Sequence, residues 1–203
     1  MRAPHPPVMT KGRMEAFSDG VLAIIITIMV LELKVPHGPE LDALRPLVPV
    51  FLSYVLSFLY VGIYWNNHHH LMAVAGRIGA GIMWANLHLL FWLSLIPFVT
   101  GWMGENQFAT LPTALYGVVL LAAAIAYLIM QGLIVGSHDH GDPLRAAFGA
   151  DIKGKASIAL YLAGIGVSFL HPWAGSAIYM AVAILWIIPD RRVERTLTKA
   201  SNP

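Results

Sequence analysis

A chain of 203 residues with 57% hydrophobic and only 12% charged residues is too apolar for a soluble domain of this size. Its mean hydropathy of +0.66 indicates that a lipid bilayer surrounds it. The absence of cysteine excludes disulfides and thiolate metal sites. The formal charge of +2 does not indicate a nucleic-acid partner, because the basic residues lie in loops between apolar runs rather than in one stripe.

Six apolar windows of about 17 to 23 residues, the length that crosses about 30 Å of hydrocarbon, predict six transmembrane helices. The chain is therefore predicted to be an all-α membrane protein with one domain, residues 1–203, and no internal repeat. Little more than His171 and Pro172 joins the last two windows, so the sequence leaves open whether both cross fully. The windows are 14–33, 47–66, 82–102, 113–135, 153–170 and 173–189.

The Lys and Arg residues divide unequally between the two sides that these helices define. Eleven of the 13 lie on the side of the N terminus, and the other side receives Lys34 and Arg45. Since cytoplasmic loops retain an excess of positive charge, the sequence predicts a multi-pass protein of the cell membrane with both termini in the cytoplasm. The first apolar run has no small-residue cleavage pattern after it, so we expect it to remain as a helix.

Polar residues cluster at the predicted cytoplasmic ends of the first three helices. Asp19 lies one to two turns inside the first helix, where an unpaired carboxylate costs roughly 2.5 kcal/mol or more. We therefore expect Arg13, or a histidine from helix two or three, to hold it. An alternative is an interfacial aromatic belt with solvated histidines. The residues predicted to form an interhelical network are Arg13, Ser18, Asp19, Trp65, His68, His69 and Asn86.

Two histidine-rich stretches raise the question of a metal site. The side chains of residues 68–70 point in different directions on a helix and cannot chelate one ion. The stretch 138–140, flanked by glycine and proline, is typical of a solvated loop. No metal site and no cofactor is therefore predicted.

The first helix carries one apolar stripe beyond its polar end. Ile24, Thr27, Ile28 and Leu31 follow the spacing i, i+3, i+4 and i+7, so they share one face. Such a stripe is typical of a face that contacts lipid or the core of a bundle. If several copies met around an axis, however, the three alkyl side chains would form hydrophobic constrictions that close by dewetting, with a ring of Thr27 hydroxyls between them.

The sequence Arg13-x-x-x-Phe17-Ser18-Asp19-Gly20, followed by 23–27 (AIIIT), resembles the signature of the lysosomal potassium channel family of transmembrane protein 175 type, in its bacterial branch. The resemblance is strongest over residues 13 to about 100. Further residues that carry it are Trp65, His68 and His69 at the end of helix two, and Asn86 and Leu95-x-Pro97-Phe98 on helix three.

The resemblance implies a homotetramer in a lipid bilayer, with four first helices around a pore for potassium ions. It places Ile24 at the narrowest hydrophobic ring and Ile28 and Leu31 at further pore-lining positions. It gives Thr27 a role in the preference for potassium over sodium. It also implies that Arg13, Ser18 and Asp19 belong to the interhelical network rather than to the ion path.

The sequence lacks the Thr-Val-Gly-Tyr-Gly filter of ordinary potassium channels, so selectivity would rest on side chains. The main alternative to a channel is a proton-coupled cation or metal transporter that uses Asp19 and the helix-two histidines. Inverted repeats and clearly broken helices, which are typical of such carriers, are not evident. A membrane metalloenzyme is less favoured because a His-Glu-x-x-His spacing is missing. The chain is therefore not predicted to be an enzyme.

Overall fold

The computed structural model describes residues 10–76, 78–137 and 151–187, and within these ranges it is helical with short connections. The prediction of an all-α protein is confirmed. A short 3-10 helix, Leu41–Leu47, precedes α2. The α-helices are α1 (Lys11–Val30), α2 (Val48–Val74), α3 (Ala80–Ser94), α4 (Ile96–Glu105), α5 (Thr110–Gly136), α6 (Ile152–Ser168) and α7 (Pro172–Ile187).

Three helical runs are long and apolar enough to cross a membrane: Leu41–Val74, Ala80–Glu105 and Thr110–Gly136. Helix α1 is not among them, because its 20 residues include four charged side chains near its start. Helices α6 and α7, with 17 and 16 residues, are shorter than a typical span. The number of six spans therefore stays a prediction.

Helix α2 ends at Val74, and the predicted end at residue 66 is wrong. The helix continues through the polar stretch 66–70 because His68 is buried against another helix and the exposed His69 has a polar partner on α1. The predicted end of the last helix at residue 189 lies outside the described residues, as do the stretch 138–140 and seven basic residues that supported the orientation. Those seven are Arg2, Arg77, Arg145, Arg191, Arg192, Arg195 and Lys199.

The third predicted helix is broken into α3 and α4 at Leu95. Pro97 lies in the first turn of α4, where its missing N–H group is tolerated but where it removes a hydrogen bond to the preceding turn. At the break, the Leu95 N–H group donates to the Trp92 carbonyl oxygen at 3.2 Å, which tightens the last turn of α3. The two helices can therefore follow different directions within one run.

The interior of the bundle is built around α5, which packs against α3, α4, α6 and α7, while α1 packs against α2, α3 and α4. Close approach of α4 to α2 depends on Gly104, because a Cβ atom there would lie 2.7 Å from the Cα atom of Val50. The start of α1, the end of α2 and the start of α3 lie together at one end of the bundle. We call this end the polar end.

Candidate functional site

The two faces of α1 differ in what covers them. One face carries five buried residues at intervals of three or four positions and packs on the neighbouring helices: Met14, Ser18, Leu22, Ile25 and Met29. The opposite face remains uncovered within the chain, with exposed fractions of 58% for Ile24, 44% for Ile28 and 76% for Leu31. Thr27 is also exposed. We call the uncovered stripe Ile24, Thr27, Ile28 and Leu31 the open face of α1.

The hydroxyl group of Thr27 is oriented by its own helix. Its oxygen lies 3.1 Å from the Ala23 carbonyl oxygen and 3.0 Å from that of Ile24, so its proton is donated to the preceding turn. A hydroxyl group has one proton but two lone pairs. The oxygen of Thr27 therefore keeps acceptor capacity for a cation or a water molecule at the open face.

Three polar contacts join α1 to α2 at the polar end, and we call them the three-rung ladder. The residues are spaced four apart on both antiparallel helices, so each rung is one helical turn from the next. The three contacts are Lys11 Nζ to Ala73 O at 2.9 Å, Glu15 Oε1 to His69 Nδ1 at 3.1 Å, and Trp65 Nε1 to Asp19 Oδ1 at 3.1 Å.

Asp19 accepts a hydrogen bond from the indole N–H group of Trp65, and the expectation that Arg13 or a histidine holds it is wrong. Arg13 is exposed, and six residues correspond to about 240° of rotation around the helix, so its side chain leaves on another face. The structure thus brings Asp19 and Trp65 together and leaves Arg13 outside these contacts.

Ser18, Asn86 and His68 form a buried triad that joins α1, α3 and α2. The Asn86 amide donates to Ser18 Oγ at 3.0 Å, and Asn86 Oδ1 lies 2.9 Å from His68 Nε2. All three side chains are at most 1% exposed. Because an amide oxygen can only accept, His68 must carry a proton on Nε2. Its buried Nδ1 atom has no hydrogen-bond partner among the described residues.

Two side chains of the ladder, Lys11 and Glu15, were not predicted from the sequence. In the structure, Glu15 and Asp19 each contact a different side chain of α2. A signal was present, because residues 11, 15 and 19 and residues 65, 69 and 73 each repeat with a spacing of four. Pairing the two series requires the antiparallel register, which the sequence does not show.

The segment that follows α1 contacts α4 through an exposed ion pair. Lys34 Nζ lies 2.6 Å from Glu105 Oε1. This hydrogen bond, together with the charge of Glu105, raises the pKa of the Lys34 ammonium group above its ordinary value. The nearby Glu32 carboxylate lies against Gly101 of α4, where a Cβ atom would come within 2.8 Å of its Oε2 atom. Polar contacts are therefore made both at the start of α1 and in the segment that follows it.

A family model for the endosomal/lysosomal potassium channel TMEM175 matches residues 13–97. This range includes α2, α3, all of α1 except its first two residues, and every predicted site residue. The chain is 52% identical over 189 residues to a potassium channel of Chryseobacterium sp. (strain P1-3), covering 93% of this chain and 98% of that protein. This chain belongs to the TMEM175 family. TMEM175 is a family of ion channels, not of enzymes.

A solved structure and an animal relative extend the comparison. The crystal structure of a lysosomal potassium-selective channel TMEM175 homologue from Chamaesiphon minutus matches with a TM-score of 0.75 and 29% identity, covering 87% of this chain and 96% of that one. The endosomal/lysosomal proton channel TMEM175 of Danio rerio is 27% identical over 137 residues, covering 64% of this chain and 25% of that protein. This chain is therefore similar to other TMEM175 proteins both in sequence and in structure.

Proposed function

We propose that this protein is a potassium-permeable cation channel in which four copies enclose a pore lined by the open face of α1. The observation that carries the proposal is the uncovered stripe Ile24, Thr27, Ile28 and Leu31 in a chain of the TMEM175 family. A single chain cannot enclose a pore with one helix. A closed ring of identical chains would cover the stripe and place it on the symmetry axis.

Ile24, Ile28 and Leu31 form successive hydrophobic constrictions in this pore. An ion that passes a collar of alkyl groups loses water without gaining ligands, so the free-energy barrier is highest there. Thr27 lies between the collars and presents its oxygen to the ion, which makes it the candidate for discrimination between potassium and sodium.

The polar end orients α1 and does not touch the ion. The three-rung ladder holds the N-terminal half of α1 against α2, and the buried triad holds it against α3. This attachment turns the opposite face of the helix towards the axis. The positioning residues in the proposal are thus Ser18, Asp19, Trp65, His68, His69 and Asn86.

The protein is proposed to cross the cell membrane with the polar end on the cytoplasmic side. The distribution of Lys and Arg in the sequence supports this orientation. Four of the described basic residues lie on the predicted cytoplasmic side. They are Lys11 and Arg13 at the start of α1, and Lys153 and Lys155 at the start of α6.

The deciding experiment is to record currents from purified protein in liposomes under opposed potassium and sodium gradients. We expect currents far faster than a carrier can support, without a coupling ion, and with a reversal potential displaced towards that of potassium. Transport that needs a proton gradient and saturates at carrier rates would contradict the channel and support the proton-coupled transporter.

Protons are the second candidate ion, because a relative from Danio rerio is named a proton channel. The same recordings with a pH gradient and no permeant metal cation separate the two. We expect the potassium current to dominate. A reversal potential that follows pH instead would make protons the principal ion.

The tetramer is tested by measuring the mass of the detergent-solubilised protein, corrected for bound detergent. We expect a value about four times the 22.2 kDa of the chain. A stable monomer would contradict the proposed pore.

A further inference from the structure

An open groove runs between α2 and α7 on the outer surface of the chain. Its volume is about 220 Å³. It is lined by residues of α2 and by the end of α7. We call it the α2–α7 groove, and the residues used below are Phe58, Gly62 and Asn66 of α2 and Trp186 and Ile187 of α7.

The groove depends on a glycine in the middle of α2. Phe58, Gly62 and Asn66 follow one another at intervals of four residues, so they line the groove along the helix axis over about 12 Å. A Cβ atom at Gly62 would meet nothing within 4 Å. The missing side chain therefore leaves space that the surrounding protein does not fill. The length is close to the roughly 15 Å thickness of one leaflet of hydrocarbon.

The two ends of the groove differ in polarity. Phe58 lies at one end, whereas Asn66 and Trp186 lie at the other. The Trp186 indole N–H group donates to Ser157 Oγ at 2.8 Å, which fixes the ring. The ammonium group of Lys153 lies 6.0 Å from the centre of this ring and 3.3 Å from the Leu185 carbonyl oxygen. One end of the groove is thus apolar, and the other is lined by the Trp186 ring, which has the Lys153 ammonium group near it.

We propose that the α2–α7 groove binds one acyl chain of an anionic phospholipid, with the phosphate of the headgroup at Lys153. The groove matches the length of a chain from a single leaflet, and its apolar walls match the chemistry of that chain. A tryptophan and a lysine at its polar end are the residues typical of the headgroup level. In the orientation proposed above, Lys153 faces the cytoplasmic leaflet, where anionic lipids attract basic side chains.

The bound lipid joins α7 to α2 from outside. Asn66 and Trp186 come from helices that are far apart in the sequence, and both line the same groove. An acyl chain between them fills space that would otherwise be empty, so its removal lowers the thermal stability of the bundle.

The test measures lipid retention by native mass spectrometry after delipidated protein is incubated with phosphatidylglycerol or with phosphatidylcholine. We expect the wild type to retain phosphatidylglycerol about fivefold more tightly than phosphatidylcholine, the contribution of one basic side chain near the headgroups. Gly62→Leu fills the groove and should abolish retention of both lipids. Lys153→Gln should keep the groove but make the two lipids bind equally.

Gly132→Leu is the matched control. Like Gly62, Gly132 lies in a long helix with nothing within 4 Å of its Cβ position. It is exposed, whereas Gly62 is half-buried, and it lies on α5, away from the groove. It should retain lipid as the wild type does. Equal retention by the Gly62→Leu and Gly132→Leu proteins, or a wild type without preference for phosphatidylglycerol, would overturn the proposal. If Gly62→Leu does not assemble to the wild-type mass, the Lys153→Gln comparison decides alone. None of these measurements depends on a current.

Discussion

Helix α1 has two faces of similar composition that meet very different surroundings. Ile24 and Ile25 are neighbours with the same side chain, yet Ile24 is 58% exposed and Ile25 is 3% exposed. The difference follows from the polar end, where Ser18 is drawn into the buried triad and fixes the rotation of the helix. From there, the packed face continues through Leu22, Ile25 and Met29. Polar contacts at one end thus decide which apolar side chains remain available for a pore.

The largest expected effect on stability is at Ile25, on the packed face of α1. Ile25→Asn places an amide in the packed core and removes buried alkyl contacts, so we expect a loss of about 3 to 5 kcal/mol in the free energy of unfolding. Ile24→Asn, one position earlier, should leave folding unchanged, raise the current and reduce the preference for potassium over sodium. Melting temperature and flux recordings measure both. If the two variants behave alike, the open face of α1 does not line the pore.

The buried triad is the next most sensitive point. Asn86→Ala removes the hydrogen-bond partner of the buried His68 Nε2 and leaves Ser18 only its bond to the Met14 carbonyl oxygen, which should cost about 2 to 3 kcal/mol of stability. The control is Asn106→Ala, which removes an exposed amide whose hydrogen bond goes to Trp102 of its own turn. That change should cost less than about 1 kcal/mol. Chemical or thermal unfolding in detergent gives both values, and similar losses would show that the triad does not fix α1.

A smaller effect is expected at the innermost rung of the ladder. Asp19→Ala removes the acceptor of the Trp65 indole and should lower stability by about 1 kcal/mol. Trp65→Phe removes the donor, and the double variant should lose little more than either single one, since both break the same contact. The potassium to sodium permeability ratio should stay unchanged. A change in that ratio without loss of stability would instead place Asp19 in the ion path.

The smallest effect on stability is expected at Thr27. Thr27→Val keeps the shape of the side chain, and Thr27 is exposed, so the melting temperature should stay within the error of the wild type. The potassium to sodium permeability ratio should fall by about fivefold, because one hydroxyl contact is worth about 1 kcal/mol. Reversal potentials under bi-ionic conditions measure this. An unchanged ratio would move selectivity to another position.

Much of the fold was predictable because membrane helices can be recognised in a sequence by their length and hydropathy. The stripe on α1 was predictable from its spacing, and the structure does leave it uncovered. Its role in the pore stays a prediction. The types of residue in the triad were predictable as well, because polar side chains at one depth on three helices need one another.

Other features depended on information that the sequence does not carry. The partner of Asp19 was predicted wrongly because the choice between Arg13, a histidine and Trp65 depends on the register of α2 against α1. The length of α2 was underestimated because the apolar window ends at residue 66. The helix itself continues to Val74, since the polar side chains beyond residue 66 have partners. The break at Leu95 needs the path of the whole third run, although Pro97 made a kink plausible.

The three-rung ladder also determines the position of α1 along its axis relative to α2. If α1 moved one turn, about 5.4 Å, towards the interior of the bundle, Lys11 would face His69 and Glu15 would face Trp65. Asp19 would then face Val61, which is fully buried in the apolar core. A carboxylate in that position has no donor and loses its hydration. A one-turn movement of α1 towards the interior is therefore unfavourable.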